Sequence, residues 1–77
     1  MNDKIEVLSR VLEIDPGDIE IKKFNSAWYE VDLYHDKYND EYYLILDNDE
    51  YYYNADLYGV DMMEEIYNEE YTIYRVT

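Results

Sequence analysis

The side chains that carry most enzyme chemistry are scarce in this chain. It has one histidine, His35, two serines, Ser9 and Ser26, and no cysteine. Ser9 falls on the polar side of a predicted helix, with no histidine near it in sequence to act as its base. His35 is expected at the end of a hairpin rather than as a general base or a ligand. Without cysteine there is no disulfide, thiolate zinc site or thiol nucleophile. We therefore expect no catalytic residues and no enzyme activity.

Carboxylates are the remaining groups that could do chemistry, through acid–base catalysis or metal binding. Pairs such as Asp47/Asp49 and Glu64/Glu65 would suit either role. Because Asp and Glu make up 20 of the 77 residues, such pairs arise by chance, and a solvated surface is their expected place. Residues 47–52 begin like an EF-hand loop, but tyrosines stand where a ligand and a glycine are needed. We expect no metal site and no cofactor.

A helix is predicted at the N-terminus, where apolar residues recur at helical spacing between Ile5 and Leu12. Asp3 and Glu6 have the spacing of a capping box. The helix should end before residues 15–18, where the proline and glycine positions favour a type II turn.

Extended segments are predicted to follow the helix. Residues 19–24 form a short extended piece, and residues 28–35 alternate in the pattern of a half-buried strand. Residues 36–40 are turn-like, and residues 41–46 have the β-propensity of a returning strand. Together the last three segments predict a β-hairpin.

The C-terminal half is predicted to contain a helix and a strand. An apolar stripe at spacings of three and four favours a helix from about Ala55 to Glu69, which Gly59 weakens by roughly 1 kcal/mol. Residues 50–53 could add a third strand before this helix, and whether residues 50–58 are strand or helix is left open. Residues 71–76 should form a closing strand. The whole chain is then one α+β domain, with two helices on one side of an antiparallel sheet of three to five strands.

Charge is the most unusual property of the chain. The formal net charge is −14, and residues 38–74 hold eleven acidic residues, ten tyrosines and no Lys or Arg. Such a charge repels DNA, RNA and anionic lipid, so direct nucleic-acid or membrane binding is disfavoured. The longest apolar run, Tyr42 to Leu46, is far shorter than a membrane span, and no signal-peptide-like stretch follows Met1.

High charge also raises the question of disorder. Leu, Ile, Val and Phe together account for 19 of the 77 residues, which exceeds the level typical of disordered chains. The twelve tyrosines add apolar ring surface that hydropathy scales undervalue. We therefore expect a folded domain, and added salt should stabilise it by screening the repulsion between carboxylates.

An acidic surface of this kind can imitate a nucleic acid. Carboxylates two apart on a strand lie ~6.6 Å from each other, comparable to backbone phosphates, and tyrosine rings offer faces on which Arg can stack. A basic groove made for DNA or RNA could accept such a row. The expected contact residues are the carboxylates within and beside residues 38–74 and three tyrosines: Glu30, Asp32, Asp36, Asp40, Glu41, Asp47, Asp49, Glu50, Asp56, Glu64, Glu65, Glu69, Glu70, Tyr38, Tyr52 and Tyr58.

In size, acidity and the run from Tyr38 to Tyr74, the chain resembles the small acidic DNA-mimic inhibitors carried by phages and plasmids. Anti-CRISPR proteins, anti-restriction proteins and the uracil-DNA glycosylase inhibitor belong to this class. Its members do not share one fold, so the resemblance assigns no residue by position. It implies a stoichiometric, non-catalytic blocker of a basic nucleic-acid-binding protein in the bacterial cytoplasm, with a CRISPR–Cas effector as the expected target.

Two other functions fit the same residues. An immunity protein or antitoxin that neutralises a basic nuclease toxin would use the same acidic surface. A structural or adaptor module without any nucleic-acid link would instead bind its partner through apolar contacts, and its affinity would hardly change with salt.

Overall fold

The computed structural model describes residues 2–25, 30–49 and 57–77. Within these ranges the chain forms an N-terminal α-helix and a five-stranded antiparallel sheet, which confirms the predicted α+β class, and residues 48–49 and 57–58 are also helical. The elements are α1 (Asp3–Leu12), β1 (Ile19–Asn25), β2 (Glu30–Asp36), β3 (Glu41–Leu46), β4 (Glu64–Asn68) and β5 (Thr72–Val76).

The predicted N-terminal helix is confirmed, but its cap is not the predicted one. Asn2 precedes the first turn, and its side-chain oxygen accepts hydrogen bonds from the backbone N–H groups of Lys4 (2.8 Å) and Ile5 (3.3 Å). Asp3 therefore lies inside the first turn, where its negative charge favours the helix dipole. Leu8 is fully buried and fixes the face that α1 presents to the sheet.

The predicted type II turn is also wrong. Pro16–Asp18 form a single 3-10 turn, and the Asp15 carboxylate accepts a hydrogen bond from the Gly17 N–H at 2.8 Å. A type II turn needs a positive φ at its glycine, and Gly17 does not have one. The capping carboxylate therefore decides the turn, and the glycine is not used for its conformational freedom.

The strand order in the sheet is β1-β2-β3-β5-β4, with every neighbouring pair antiparallel. The β2–β3 hairpin, the extended segment before it and the closing strand are confirmed as β1, β2, β3 and β5. Residues 28 and 29 of the predicted hairpin lie outside the described residues. Since β5 returns between β3 and β4, residues 47–49 after β3 come to lie beside the β4–β5 turn.

Both faces of the sheet carry apolar side chains. Tyr34 is only 4% exposed, although it shares its sheet face with the charged Glu30 and Asp32. Val31 and Leu33, on the opposite face, are half-buried. The core against α1 is built from Val7, Leu8, Ile19, Tyr34, Tyr43, Ile45 and Ile73, and the smaller core on the other face from Leu44, Leu46, Val60 and Tyr74.

The predicted second helix is wrong from Gly59 onward, although Leu57 and Tyr58 within its predicted span are helical. Gly59 adopts φ 70°, a single 3-10 turn follows at Val60–Met62, and β4 begins at Glu64. A register shift between Glu65 and Tyr67 marks a β-bulge, and Ile66 and Tyr67 both pack against the core. Adjacent apolar residues on one side resemble helical spacing, so the bulge explains the wrong prediction. The alternative strand at residues 50–53 lies outside the described residues.

Gly59 is expected to be intolerant of a Cβ atom for backbone reasons alone. A Cβ there would meet no heavy atom within 4 Å, but the positive φ disfavours an L side chain. Gly59→Ala should therefore lower the free energy of unfolding by about 1 kcal/mol, measured by urea denaturation. Gly59→Asn, which tolerates this conformation better, should lose less; equal losses would contradict the explanation.

Candidate partner-binding surface

The β2–β3 turn presents an exposed tyrosine. Asp36 is fully buried, and its carboxylate accepts hydrogen bonds from the N–H groups of Tyr38 (2.9 Å) and Asn39 (3.1 Å). The Asn39 side-chain amide adds a third bond at 2.8 Å. Asp36 holds the turn from its buried side, and the Tyr38 side chain projects outward. Tyr38 is 77% exposed.

Carboxylates from the first half of the chain stand beside this tyrosine. The Lys37 N–H donates to the Asp18 carbonyl at 2.8 Å, which ties the β2–β3 turn to the 3-10 turn after α1. The two segments enclose a shallow concavity of about 260 Å³. It is lined by Glu13, Ile14, Asp15, Asp18 and Tyr38, which we call the Tyr38 concavity.

The Tyr38 concavity has the chemistry of a guanidinium site. Glu13, Asp15 and Asp18 supply carboxylates, while the Tyr38 ring offers a face for stacking. Among the described residues, no Lys or Arg lies within ion-pair distance of Glu13 or Asp18. An arginine of a partner could therefore bind the carboxylates and stack on the Tyr38 ring at the same time, and these contacts would replace its bound water.

Two carboxylates at this end of the sheet belong to residues with positive φ. In the described part of the chain, Glu13 (φ 57°) and Asp40 (φ 56°) are the two non-glycine residues with positive φ. Glu13 ends α1 with its N–H bonded to the Ser9 carbonyl, a position that glycine usually fills. The Asp40 carboxylate lies 2.8 Å from the His35 ring nitrogen Nε2, within hydrogen-bond distance. The steric cost is greater at Glu13, because aspartate tolerates this conformation better than glutamate does.

Glu13→Gly should separate stability from function. We expect this substitution to raise the free energy of unfolding by about 0.5–1 kcal/mol, because glycine adopts positive φ without steric cost. The same variant should bind a basic partner more weakly, since one carboxylate of the Tyr38 concavity is lost. Urea denaturation measures the first effect. If Glu13→Gly proved less stable than the wild type, the strain at this residue would be disproved.

The opposite end of the sheet gathers a second group of acids. Asn48 joins the two loops there: its amide nitrogen donates to the Glu69 carbonyl at 3.5 Å, and its amide oxygen accepts from the Thr72 hydroxyl at 3.4 Å. This contact places residues 47–49 beside the β4–β5 turn. The carboxylates brought together are those of Asp47, Asp49, Glu69 and Glu70, all exposed.

Two arginines are held by carboxylates across these elements. Arg75 contacts Glu64 on β4 and Glu41 on β3, the latter at 3.5 Å. Arg10 of α1 contacts Glu70 at 2.5 Å. The Tyr67 hydroxyl, which donates to Glu70 at 2.6 Å, lowers the pKa of that carboxyl, and Arg10 lowers it further. These pairs partly neutralise Glu41, Glu64 and Glu70, so these three carboxylates are less available to an approaching partner than their position suggests.

The predicted row of Glu30 and Asp32 is less available than its spacing suggests. The Lys23 ammonium on β1 lies 3.5 Å from Glu30 and 3.2 Å from Asp32. Cross-strand pairing places this cation directly opposite Asp32. The strongest acidic surface therefore lies at the ends of the sheet rather than along β2.

The predicted contact residues are thus divided among several environments. Asp36 is buried as a turn cap and no longer belongs to the surface that we propose. Tyr58 is half-buried against the smaller core, and Glu65 is exposed on β4. Glu50, Asp56 and Tyr52 lie outside the described residues. The Tyr38 concavity adds Glu13, Asp15 and Asp18, which sequence patterning did not select because they come next to Tyr38 only through the contact between two distant turns.

Ser9 and His35, the other residues considered for chemistry, make local contacts within the fold. The Ser9 hydroxyl donates to the Glu6 carbonyl at 2.8 Å, and the His35 ring stacks on Tyr42 with 4.4 Å between centroids. Across the described ranges, no three His, Asp or Glu side chains come together as metal ligands. No helix within those ranges is long and apolar enough to cross a membrane.

Tyr43 should cause the free energy of unfolding to fall at alkaline pH. Burial, and secondarily its hydrogen bond to Glu41, raises the pKa of the Tyr43 hydroxyl to about 12. In the unfolded chain a tyrosine hydroxyl has a pKa of ~10. The proton on Tyr43 therefore stabilises the folded state fully below that pH, and this stabilisation is lost as the pH rises towards 12. Urea denaturation should show a shallower loss for Tyr43→Phe than for the wild type over this window. The exposed control, Tyr38→Phe, should follow the wild type; equal slopes for all three would contradict the prediction.

The architecture and the acidic surface define a class but not a family. The described residues form a small α+β fold in which α1 packs on a five-stranded antiparallel sheet and carboxylates lie at both sheet ends. No family model matches it, and no match is found among curated proteins or solved structures.

Proposed function

We propose that this chain is a non-catalytic, stoichiometric inhibitor that mimics nucleic acid and blocks the basic groove of a nucleic-acid-binding protein. Its expected place of action is the bacterial cytoplasm, and a CRISPR–Cas effector is the target class that we favour. The observation that carries the proposal is the Tyr38 concavity, where an exposed ring stands beside three carboxylates.

The distribution of charge supports this proposal. A surface that serves only solubility mixes both signs, with a net charge of about 2–8 in magnitude for a small domain. Here the net charge is −14, and Arg75, the one cation after Lys37, is bound by Glu41 and Glu64. A basic groove approaching the Tyr38 concavity therefore meets three carboxylates and an exposed ring beside a single neighbouring lysine in the sequence, Lys37.

Competition with nucleic acid is the direct test. The immobilised chain should capture its target from bacterial lysate at about 50 mM salt and release it at several hundred mM, because charge contacts are screened. The purified target should then bind its own DNA or RNA progressively less well as the chain is added. Undiminished nucleic-acid binding in the presence of excess chain would refute the mimic.

The same experiment separates the other functions. A captured basic nuclease toxin would identify an immunity protein, and capture that hardly changes with salt would identify an adaptor that binds through apolar contacts. A variant with the Tyr38 concavity altered should lose capture without losing its fold, whereas a control with the same change in charge elsewhere should keep most of it.

A further inference from the structure

The two edges of the described sheet are built differently. β4 is a short edge strand of five residues, interrupted by the bulge between Glu65 and Tyr67 and carrying exposed acids. β1 is seven residues long and pairs with β2 in regular register from Ile19 to Asn25. Bulges and like charges are the usual means of protecting an edge from pairing, and β1 lacks the bulge.

The outer edge of β1 is also exposed and partly apolar. Ile21 is 39% exposed and Phe24 is 45% exposed, and no other described strand pairs with this edge. β1 carries Lys22 and Lys23, two of the six cations in the chain, together with Glu20. It is therefore an edge where a second strongly acidic molecule would meet the least repulsion.

We propose that β1 pairs with β1 of a second copy of this chain, in antiparallel orientation, with Ile21 on the two-fold axis. In a continuous sheet, residues directly opposite one another point to the same face. This register places Glu20 of each copy opposite Lys22 of the other, and brings the two Ile21 side chains together. The resulting sheet has ten strands, and the contact is self-complementary as a two-fold interface requires.

Neighbouring registers are less favourable. Moving the axis to Lys22 brings two lysines face to face, and moving it to Glu20 brings two glutamates face to face. A register shifted by one residue would avoid both like-charge contacts, but it would place side chains on the wrong face of the sheet. Within each copy, Lys22 already lies 3.9 Å from Glu20, so pairing would complete an alternating set of four charges.

This self-association should respond to salt in the opposite direction from partner binding. Each copy carries a net charge of −14, so long-range repulsion opposes pairing and screening favours it. The proposal does not depend on the inhibitor function, because it uses a different edge of the molecule and needs no partner.

Sedimentation equilibrium over protein concentrations up to about 1 mM tests the proposal, at low and at moderate salt. The wild type should show a monomer–dimer equilibrium that strengthens with salt. Glu20→Lys and Lys22→Glu should each weaken dimerisation about tenfold or more, because both charge pairs become repulsive. The double variant Glu20→Lys/Lys22→Glu should dimerise again.

A mixture of the two single variants gives the sharpest result. One chain then carries two lysines on this face and the other carries two glutamates, so the register predicts a 1:1 heterodimer. With one variant labelled with ¹⁵N, NMR shifts should concentrate in residues 19–23, which this register pairs across the axis. Glu65→Lys and Lys37→Glu make the same changes in net charge away from β1 and should leave dimerisation close to that of the wild type.

Two results would overturn the proposal. One is a wild type that stays monomeric throughout the concentration and salt range. The other is a dimer that the charge exchanges do not affect, because its interface would then lie elsewhere. Circular dichroism of each variant shows whether the fold is kept, as expected for substitutions at exposed positions.

Discussion

Combining Glu13→Lys, Asp18→Lys and Tyr38→Ala in one variant should weaken partner capture about 100-fold. Each reversal replaces an attraction with a repulsion worth about 0.5–1 kcal/mol at a partly exposed site. Loss of the ring removes a stacking contact worth about 1–2 kcal/mol. Single substitutions should have small effects, because the binding energy is spread over many carboxylates. Titration of the captured partner at low salt measures the change.

A matched control tests whether position matters or only total charge. Asp3→Lys, Asp61→Lys and Met62→Ala make the same change in charge and also remove an exposed side chain, since Met62 is 81% exposed. All three positions lie outside the Tyr38 concavity. The control should retain most of the affinity. If both variants bound equally weakly, net charge alone would govern binding, and the concavity would have no special role.

A short arginine-rich peptide provides a second measurement that needs no natural partner. Its addition to the ¹⁵N-labelled chain at low salt should shift the NMR resonances of Tyr38 and Glu13 most strongly. Salt should reverse these shifts, because the contact is between charges. Shifts distributed evenly over all exposed acids would instead indicate non-specific attraction.

The parts of the fold that sequence predicts are those stabilised by local pattern. α1 follows from apolar residues at helical spacing, of which Leu8 is the most buried. The β2–β3 hairpin follows from alternation and from a turn whose Asp36 and Asn39 bond within it. These elements need little information from distant residues, so their extent was predictable to within a few positions.

The missed element depended on long-range pairing. Ile66 and Tyr67 pack together because a bulge in β4 turns both towards the core, and β4 exists because β5 pairs with it. The same two residues fit a helical stripe equally well. Gly59 was the local indication against the helix, since its positive φ interrupts the helical path before β4 begins.

The candidate surface was only partly predictable for a related reason. Asp40 and Glu41 follow Tyr38 closely in the chain, so composition alone selected them together. Glu13 and Asp18 join Tyr38 only because the two turns are tied by the bond between Lys37 and Asp18. Burial of Asp36 likewise depends on three-dimensional structure. Charge counting identifies the kind of partner, whereas tertiary contacts determine which carboxylates can reach it.

Leu8→Ala should lower the free energy of unfolding by about 3–5 kcal/mol. Leu8 is 0% exposed and belongs to the core between α1 and the sheet, so its truncation removes buried surface and leaves a cavity. A domain of 77 residues is expected to have only about 4–12 kcal/mol of stability in total. The loss is therefore a large fraction of what holds the chain folded. Urea denaturation at moderate salt measures it while carboxylate repulsion is screened.

Leu57→Ala is the matched control, because it makes the same chemical change at a residue that is 51% exposed. Its effect should stay below about 0.5–1 kcal/mol, since much of that side chain is already in contact with water. Lowering the salt should leave the difference between the two variants nearly unchanged, while both transitions move to lower urea concentration. A loss for Leu8→Ala no larger than that for Leu57→Ala would mean that α1 does not pack on the sheet as described. The same outcome would remove the support beneath Glu13 and with it the geometry of the Tyr38 concavity.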